Sequence, residues 1–476
     1  MVNRRDFLKI AGASAASLAL SGTSSQLFAS PSAGAPAAAR HGDKVNVALV
    51  GIGGRGDQVE LEMSATGMIN VLALCDVDMG AEHTLRVMNK YPKARRYRDF
   101  RLMFDEMSSK IDAVIVCTPD FSHFPIAMRA IKEGKHVYVE KPLAQTFYEC
   151  ELLMQASAAH PEVVTQMGNQ GHSEANYFQF KAWKDAGIIK DVTRIDAHMN
   201  AGRRWHNWDP KLKKFPDAQP IPETLDWDMW LMGKLHHDFN HELHYGNWRS
   251  WHDFGMGALG DWGAHIFDTC HEFLELGLPY EVGMERCDDH NDFFFPMAST
   301  IRFRFPRRGS MPACEMYWYD GVGNLPKLPE GYGKSEVNPN VPTAGENTVE
   351  ASSLNPGKII YSRDLIFKGG SHDSTLQIIP SEAAREMEKY LPEVPKSPSN
   401  HYANFLLACQ GREKTRSPFA LTGVMTQMMA LGVIAQRLNT TFRFDAATKE
   451  IVGNPFANAL LYGPAPKDGW QEYYKL

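Results

Sequence analysis

The spacing of apolar residues changes character twice along the chain. Residues 1–43 hold one modest apolar stretch, "IAGASAASLALSG", behind "NRRDFLK", and no sustained period. From Val45, short all-apolar runs alternate with amphipathic segments. "KVNVALV", "INVLALC", "IDAVIVCTPDFSHF", "HVYVEKPL" and "VVTQMGNQ" begin as buried strands, and "IAMRAIKEGK" is an amphipathic helix ending at Gly134. Strands that alternate with helices predict βαβ units around a parallel sheet. In the second half the runs lengthen and alternate: "DVTRIDAHMN", "STIRFRF", "ACEMYWY" and "DLIFKG" read as antiparallel strands. "SNHYANFLLACQ" and "LTGVMTQMMALGVIAQRL" read as helices whose Met and Leu stripes face a core. Residues 324–356, rich in Pro, Gly and Asn, read as an excursion loop. The pattern predicts an α/β protein with a first domain over 44–166 and a second over 167–476.

The first strand runs into four glycines within six residues, Gly51, Gly53, Gly54 and Gly56, around Ile52 and Arg55. The form is G-x-G-x-x-G. Gly51 suits the tight turn, Gly53 a close backbone approach to a pyrophosphate, and Gly56 close packing of helix on strand. The next strand ends at Asp76, 20 residues after Gly56. An acid there accepts from both ribose hydroxyls of NAD and repels the extra phosphate of NADP. Arg55 is the residue that could instead partner a phosphate. A strand before the glycines and an acid at this distance make the dinucleotide reading specific. Ligands of doubly wound sheets sit at the carboxyl ends of the strands. Thr118-Pro119, Glu140-Lys141 and Asn169-Gln170 therefore mark the rim, and Lys141 is kept extended by the proline after it.

Composition narrows the class. Hydrophobic residues make up 43 % and charged residues 22 %, with a net charge of −6 and no long block of one sign. That argues against nucleic acid. The seven cysteines are odd in number and form no CxxC, so neither a disulfide framework nor a zinc ribbon is indicated. Arg4 and Arg5, the short apolar stretch and a small-residue site at Ala33-Gly34-Ala35 have the layout of a twin-arginine export leader over 1–35, followed by a linker over 36–43. The apolar stretch is too short to span a membrane.

Acid–base chemistry is suggested by "GMGALGDWGAHIF". Asp261 and His265 are four apart and share one face of a helix. An imidazole is the natural acceptor for an alcohol proton. Arg203, Arg204, Trp205 and Trp208 precede this segment at a distance, and Trp248, Arg249 and Trp251 adjoin it. Aromatic faces suit sugar rings, and arginine forks suit several hydroxyls or a carboxylate. In "HHDFNHELHYGNW", His237 and His241 are four apart, as are Asp238 and Glu242. The interleaved aromatics and asparagines give a poor helix and no zinc spacing, so a polar loop without metal is expected.

The glycine loop, the C-T-P turn, "EKP" and "GALGDWGAH" together resemble the glucose–fructose oxidoreductase, inositol dehydrogenase and MocA family. The resemblance implies an N-terminal Rossmann domain and a C-terminal α/β domain built on a large, mostly antiparallel open sheet. It implies that Lys141, Asp261 and His265 surround the reacting carbon. His265 would be the base, Asp261 its orienter or a substrate partner, and Lys141 a donor to the reacting oxygen. Gly51 to Gly56, Asp76, Thr118, Pro119, His123, Glu140, Lys141 and Asn169 would hold the cofactor. Arg204, Trp205, Trp248, Arg249 and His265 would meet the substrate. An exported enzyme lacks a free nicotinamide pool, so the expectation is a tightly held NAD recycled in the site, a sugar or glycoside substrate, and a homo-oligomer. The redox-neutral α-N-acetylgalactosaminidases of the same superfamily also carry leaders, but have valine in place of Lys141 and a Tyr-x-x-His-Gly segment near the other position, so a glycoside hydrolase is the alternative reading. A third reading is a sugar-binding protein that kept the fold without the chemistry.

Overall fold

The computed structural model describes residues 44–202, 204–244, 246–332 and 355–476. The leader, the linker, Arg203 and most of the expected excursion loop lie outside the described residues. Two sheets organise the rest. The first has six parallel strands, β1 (Val45–Val50), β2 (Ile69–Cys75), β3 (Arg95–Tyr97), β4 (Ala113–Val116), β5 (His136–Val139) and β6 (Thr165–Met167), in the order β3-β2-β1-β4-β5-β6. Helices cover both faces, which is why β1, β4 and β5 are buried at every position and apolar at nearly all. Strand order reverses between β1 and β4, so the crevice at their carboxyl ends is the natural ligand site. Val50, Val116 and Val139 pair across it in register. The residues that follow each strand (Gly51, Cys117 and Glu140) are thereby neighbours.

Among the described residues the second sheet has nine strands, β7 (Arg194–Met199), β8 (Glu281–Asp288), β9 (Ala298–Phe305), β10 (Cys314–Asp320), β11 (Gly357–Tyr361), β12 (Ile366–Gly370), β13 (Gln377–Ile379), β14 (Phe442–Asp445) and β15 (Glu450–Ile451), in the order β13-β12-β11-β7-β10-β9-β8-β14-β15. Strands β7 (Arg194–Met199) and β10 (Cys314–Asp320) run parallel and the other pairs antiparallel. Along β10 buried and half-buried residues alternate: Cys314, Met316 and Trp318 face the core, and Glu315, Tyr317 and Tyr319 the open side. The closed side packs on helices Gly257–Ile266 and Phe419–Leu438, where Gly432 lets Leu259 and Phe303 come close. Helix Phe419–Leu438 is long and apolar enough to cross a membrane, yet 78 % of its apolar window is buried within the protein. Strand β8 (Glu281–Asp288) was not anticipated from the sequence. Its register shift between Met284 and Arg286 breaks the alternation that would have revealed it.

The two halves are stitched together by the end of the chain. Helix His401–Cys409 returns to the first sheet, where Tyr402, Phe405, Leu406 and Cys409 join Val47, Leu49, Val59 and Ile115 in one cluster. Trp470 and Tyr473 pack on Phe100, and Tyr474 on Phe124. Between β7 and helix Gly257–Ile266 lies a segment of turns and one short helix, Trp227–Leu231. It folds around an aromatic cluster of Trp227, Trp230, Phe239, Trp251 and Phe254, against Phe121 of the first domain.

Candidate active site

The glycine loop owes its shape to steric room. Gly51 has φ +79°, and a Cβ there would meet the Cys117 carbonyl oxygen at 2.6 Å. A Cβ on Gly56 would lie 1.9 Å from the Gly51 oxygen. Helix Arg55–Ala65 starts at this point with no side-chain cap, leaving its first N–H groups for an anion. The Ile52 and Asp78 amides donate to the two oxygens of Asp76, both at 2.9 Å, which fixes the carboxylate below the loop. Burial pushes the Asp76 pKa up, against these two donors.

Arg55 does not join Asp76. Its guanidinium contacts Glu140 at 3.0 Å and donates to the Tyr402 hydroxyl at 2.8 Å. Burial opposes its charge, but Glu140, Tyr138, Tyr402 and Cys117 together outweigh it and the net shift is upward. Glu140 follows β5, three strands from β2, roughly 14 Å away at ordinary strand spacing. Arg55 thus bridges to Glu140 and Tyr402 across the crevice mouth rather than to Asp76.

At the other end one carboxylate gathers three cations. Asp261, nearly fully buried, accepts on Oδ1 from Lys141 Nζ at 3.0 Å and Arg249 Nη1 at 3.1 Å. Its Oδ2 lies 2.7 Å from Arg204 Nη2 and accepts from Arg204 Nε at 2.9 Å. Lys141 also donates to the Asp261 backbone carbonyl at 2.9 Å. Arg249 reaches on to Asp120 at 2.9 Å. Burial lowers the Lys141 pKa, against the pull of Asp261. Arg204 sits at φ +66°, a backbone position a non-glycine residue rarely takes.

His265 lies one helical turn beyond Asp261, buried, with Nδ1 lacking a hydrogen-bond partner. Its ring stacks on His372 at 4.1 Å and 13°, and the His372 amide donates to the His265 carbonyl at 2.8 Å. Burial, then Lys141 and His372, hold its pKa well below the usual imidazole value. The ring is therefore neutral at neutral pH, ready to take a proton.

A cavity of about 500 Å³ joins the two ends. Of the sequence candidates, Gly51, Gly53, Gly54, Arg55, Asp76, Thr118, Pro119, Glu140, Lys141, Arg204, Trp248, Arg249 and Asp261 line it. Six expected residues sit elsewhere: Ile52 is buried beneath the loop, Gly56 is buried in the first turn of its helix, and four more are displaced. His123 is buried with its ring nitrogens 2.8 Å from the Thr118 and Pro142 carbonyls, bracing the turns that carry Thr118 and Lys141. Asn169 lies behind the rim beside His172 and Asp268, and neither atom of its amide has a partner. Trp205 packs on Phe294 in the aromatic cluster. His265 backs the wall rather than forming it. Among the described residues no three His, Cys, Asp or Glu side chains gather as a metal would need: His237 pairs with Asp253, and His241 with Glu242. The seven cysteines are free thiols.

Comparison with known proteins names the architecture. Residues 45–168 match the model of an oxidoreductase family with an NAD-binding Rossmann fold, and residues 178–304 match the C-terminal α/β domain of the same family, that of glucose–fructose oxidoreductase, inositol dehydrogenase and MocA. The chain belongs to this family. Residues 1–21 match a twin-arginine translocation signal, so the protein is addressed for export. An α-N-acetylgalactosaminidase from Shewanella oneidensis is 36% identical over 165 residues, 31% of this chain and 35% of that protein. An inositol 2-dehydrogenase from Salmonella typhimurium is 25% identical over 193 residues, 39% of this chain and 54% of the relative. The chain thus spans between a third and about half the length of these relatives. An aldose–aldose oxidoreductase from Caulobacter crescentus superimposes with TM-score 0.53 at 15% identity, covering 84% of this chain and 100% of the other. The WlbA dehydrogenase from Chromobacterium violaceum, solved with NADH and UDP-GlcNAcA, gives 0.55 at 14%, covering 85% and 97%. These two share the fold.

Several residues of the site, lining it or behind its wall, had not been singled out in the sequence. Asp120 directly follows the Thr118-Pro119 turn, so its place after a strand could have suggested it. His83, Phe100, Met229, Trp230, Met232 and His244 line the Asp76 end, and His372 backs His265; they come from segments with no shared motif.

Proposed function

We propose that this protein is an exported NAD-dependent oxidoreductase that acts on a hydroxyl of a sugar or glycoside and keeps its dinucleotide between turnovers. One observation carries the reading. A single cavity runs from the glycine loop and Asp76 to the Lys141–Asp261–Arg249 cluster, so the cofactor grip and the acid–base residues share one chamber. The residues fit a dinucleotide: the Cβ-intolerant glycines leave room for a pyrophosphate, and Asp76 offers its remaining lone pairs to ribose hydroxyls. With Arg55 committed to Glu140, no glycine-loop cation stands beside Asp76, which favours NAD over NADP. NAD bound there supplies a hydride acceptor.

The chain's own residues do the rest. Lys141 directs N–H donors at the reacting oxygen from the rim of β5. Lys141, Arg204 and Arg249 outnumber Asp261 and Asp120 by one charge, and this field stabilises an oxygen that gains negative charge as it loses its proton. The base is assigned to His265, which burial keeps neutral and which lies one helical turn behind Asp261 with Nδ1 unbonded, so it acts from behind the cavity wall. Trp248 and Arg249 line the cavity beside this cluster, with the Arg249 guanidinium stacked on the Trp248 ring, and would border a sugar there. The half-buried tyrosines of β10 on the open sheet face support assembly of a homo-oligomer through that face.

A redox-neutral glycoside hydrolase is the second reading, favoured by the stretch shared with the Shewanella α-N-acetylgalactosaminidase. Lys141, bonded to Asp261, favours the oxidoreductase. Anaerobic mixing of purified protein with a panel of glycosides separates the readings. An oxidised sugar together with a rise in bound reduced nicotinamide supports the oxidoreductase. Released aglycone with no net change in the cofactor supports the hydrolase. A protein that yields neither with any sugar is a binding protein.

A further inference from the structure

The cavity extends beyond Asp76, away from the acid–base cluster, and its outer wall there does not come from the first domain. Val77, Asp78 and Phe100 line it from the first domain, and Met229, Trp230 and His244 from the segment between β7 and helix Gly257–Ile266. That segment is latched to the end of β2. The Asp226 amide donates to the Val77 carbonyl at 2.9 Å, and the Thr224 hydroxyl to Asp78 Oδ1 at 2.6 Å. Arg98 ties the same point from below, donating to the Thr224 carbonyl at 2.6 Å.

Trp230 cannot swing aside alone. It is 5 % exposed, stacks on Trp227 at 4.6 Å and 13°, and meets Phe121 and Phe254 edge-on, each at 5.1 Å. His244 lies 5.5 Å from it, and burial lowers the His244 pKa to about 4, so the wall is uncharged at neutral pH. A neutral aromatic wall across from Phe100 is the environment a flat purine prefers.

We propose that the segment Arg204–Gly255 of the second domain is the outer wall of the adenosine end of the dinucleotide site, with Trp230 and His244 as its contact residues, and that its latch at Thr224–Asp78 sets the rate of dinucleotide exchange. The proposal rests on the reading that this cavity holds a dinucleotide. With ribose on Asp76, the purine falls between Phe100 and Trp230. Release then requires the segment to part from Val77 and Asp78 and the aromatic cluster to move with it.

Release of NADH tests this. The full exported protein is loaded with NADH, mixed with excess NAD, and the loss of bound NADH fluorescence is followed with time. Trp230→Ala should release NADH at least tenfold faster than the parent. Thr224→Val, which removes one hydroxyl and leaves the aromatic cluster whole, should accelerate release about fivefold, the rate equivalent of one hydrogen bond. If Trp230→Ala fails to fold, Thr224→Val alone decides. Parental protein that binds NADH while folded variants release it at the parental rate overturns the wall and its latch. Parental protein that binds no NADH overturns the dinucleotide reading beneath it.

Discussion

The two ends of the cavity are built on different principles. The grip is assembled within 26 residues, Gly51 to Asp76, from backbone amides, a helix start and the absence of Cβ atoms. The acid–base end draws Lys141, Arg204, Arg249 and Asp261 from separate elements and joins them by charge. Local geometry makes the first tolerant of what lies around it. The second depends on each of its members, because removing one partner of a buried ion cluster leaves the others uncompensated.

The sharpest break between the ends is His265→Ala. Loss of a general base should lower turnover roughly 10²–10⁴-fold and leave NADH binding unchanged, as read by steady-state rates beside fluorescence titration. Equal loss of both would show that the ends are not independent. Asp261→Asn should cost about 3–5 kcal/mol of stability and lower Tm, since Lys141, Arg204 and Arg249 lose their shared counter-charge. Asp76→Asn, in a neutral hydrogen-bonded setting, should leave Tm much closer to the parent.

Acid should weaken the fold through the second domain and the helix that returns from it. Burial holds His252 and His401 at about 3 and His244 and His271 at about 4. These groups stay neutral in the fold but take protons in the unfolded chain below about 6.5, so stability falls as pH drops from 6.5 toward 4. His172 behaves oppositely. Although burial disfavours its charge, Asp268 and Glu272 raise it to about 9. Its contribution is full below 6.5 and is lost as pH rises through 9. Thermal melts across pH 4–10 should fall on the acid side, and His172→Gln should flatten the alkaline limb alone.

Two smaller effects refine the contrast. Asp76→Ala should weaken NAD about tenfold, the loss of a charged hydrogen bond, and narrow the gap to NADP in equilibrium titrations. A protein purified with NADP already bound would remove Asp76 from that role. His372→Ala should slow turnover about fivefold, the size of one lost aromatic pair, without changing NADH release. An unchanged rate would leave His372 a spectator.

What was legible follows the same division. The glycine loop and Asp76 could be read because chain order and spatial order coincide over one βαβ unit. Lys141 could be read because a strand end before proline has a defined direction. Asp261 and His265 were found by helical spacing, but their partners were not. The resemblance implied that Asp261 orients His265 or holds the substrate; its carboxylate is shared among Lys141, Arg204 and Arg249, and His265 packs on His372 from the loop after β12. His123 looked like a cofactor contact because it follows a rim turn; its ring faces two carbonyls and supports that turn instead.

Strand periods, the glycine spacing and the arginine pair of the leader are short-range properties, and from them the sequence alone determined an exported α/β protein with a dinucleotide grip and a second sheet. Tertiary structure decided which charges share Asp261, that Arg55 reaches to Glu140 and Tyr402 rather than to Asp76, and that an aromatic segment of the second domain walls the far end of the cavity. The physical reason is range. Backbone conformation and burial periodicity are settled over a few residues, whereas ion pairing and aromatic packing depend on which distant segments the fold brings within a few ångströms.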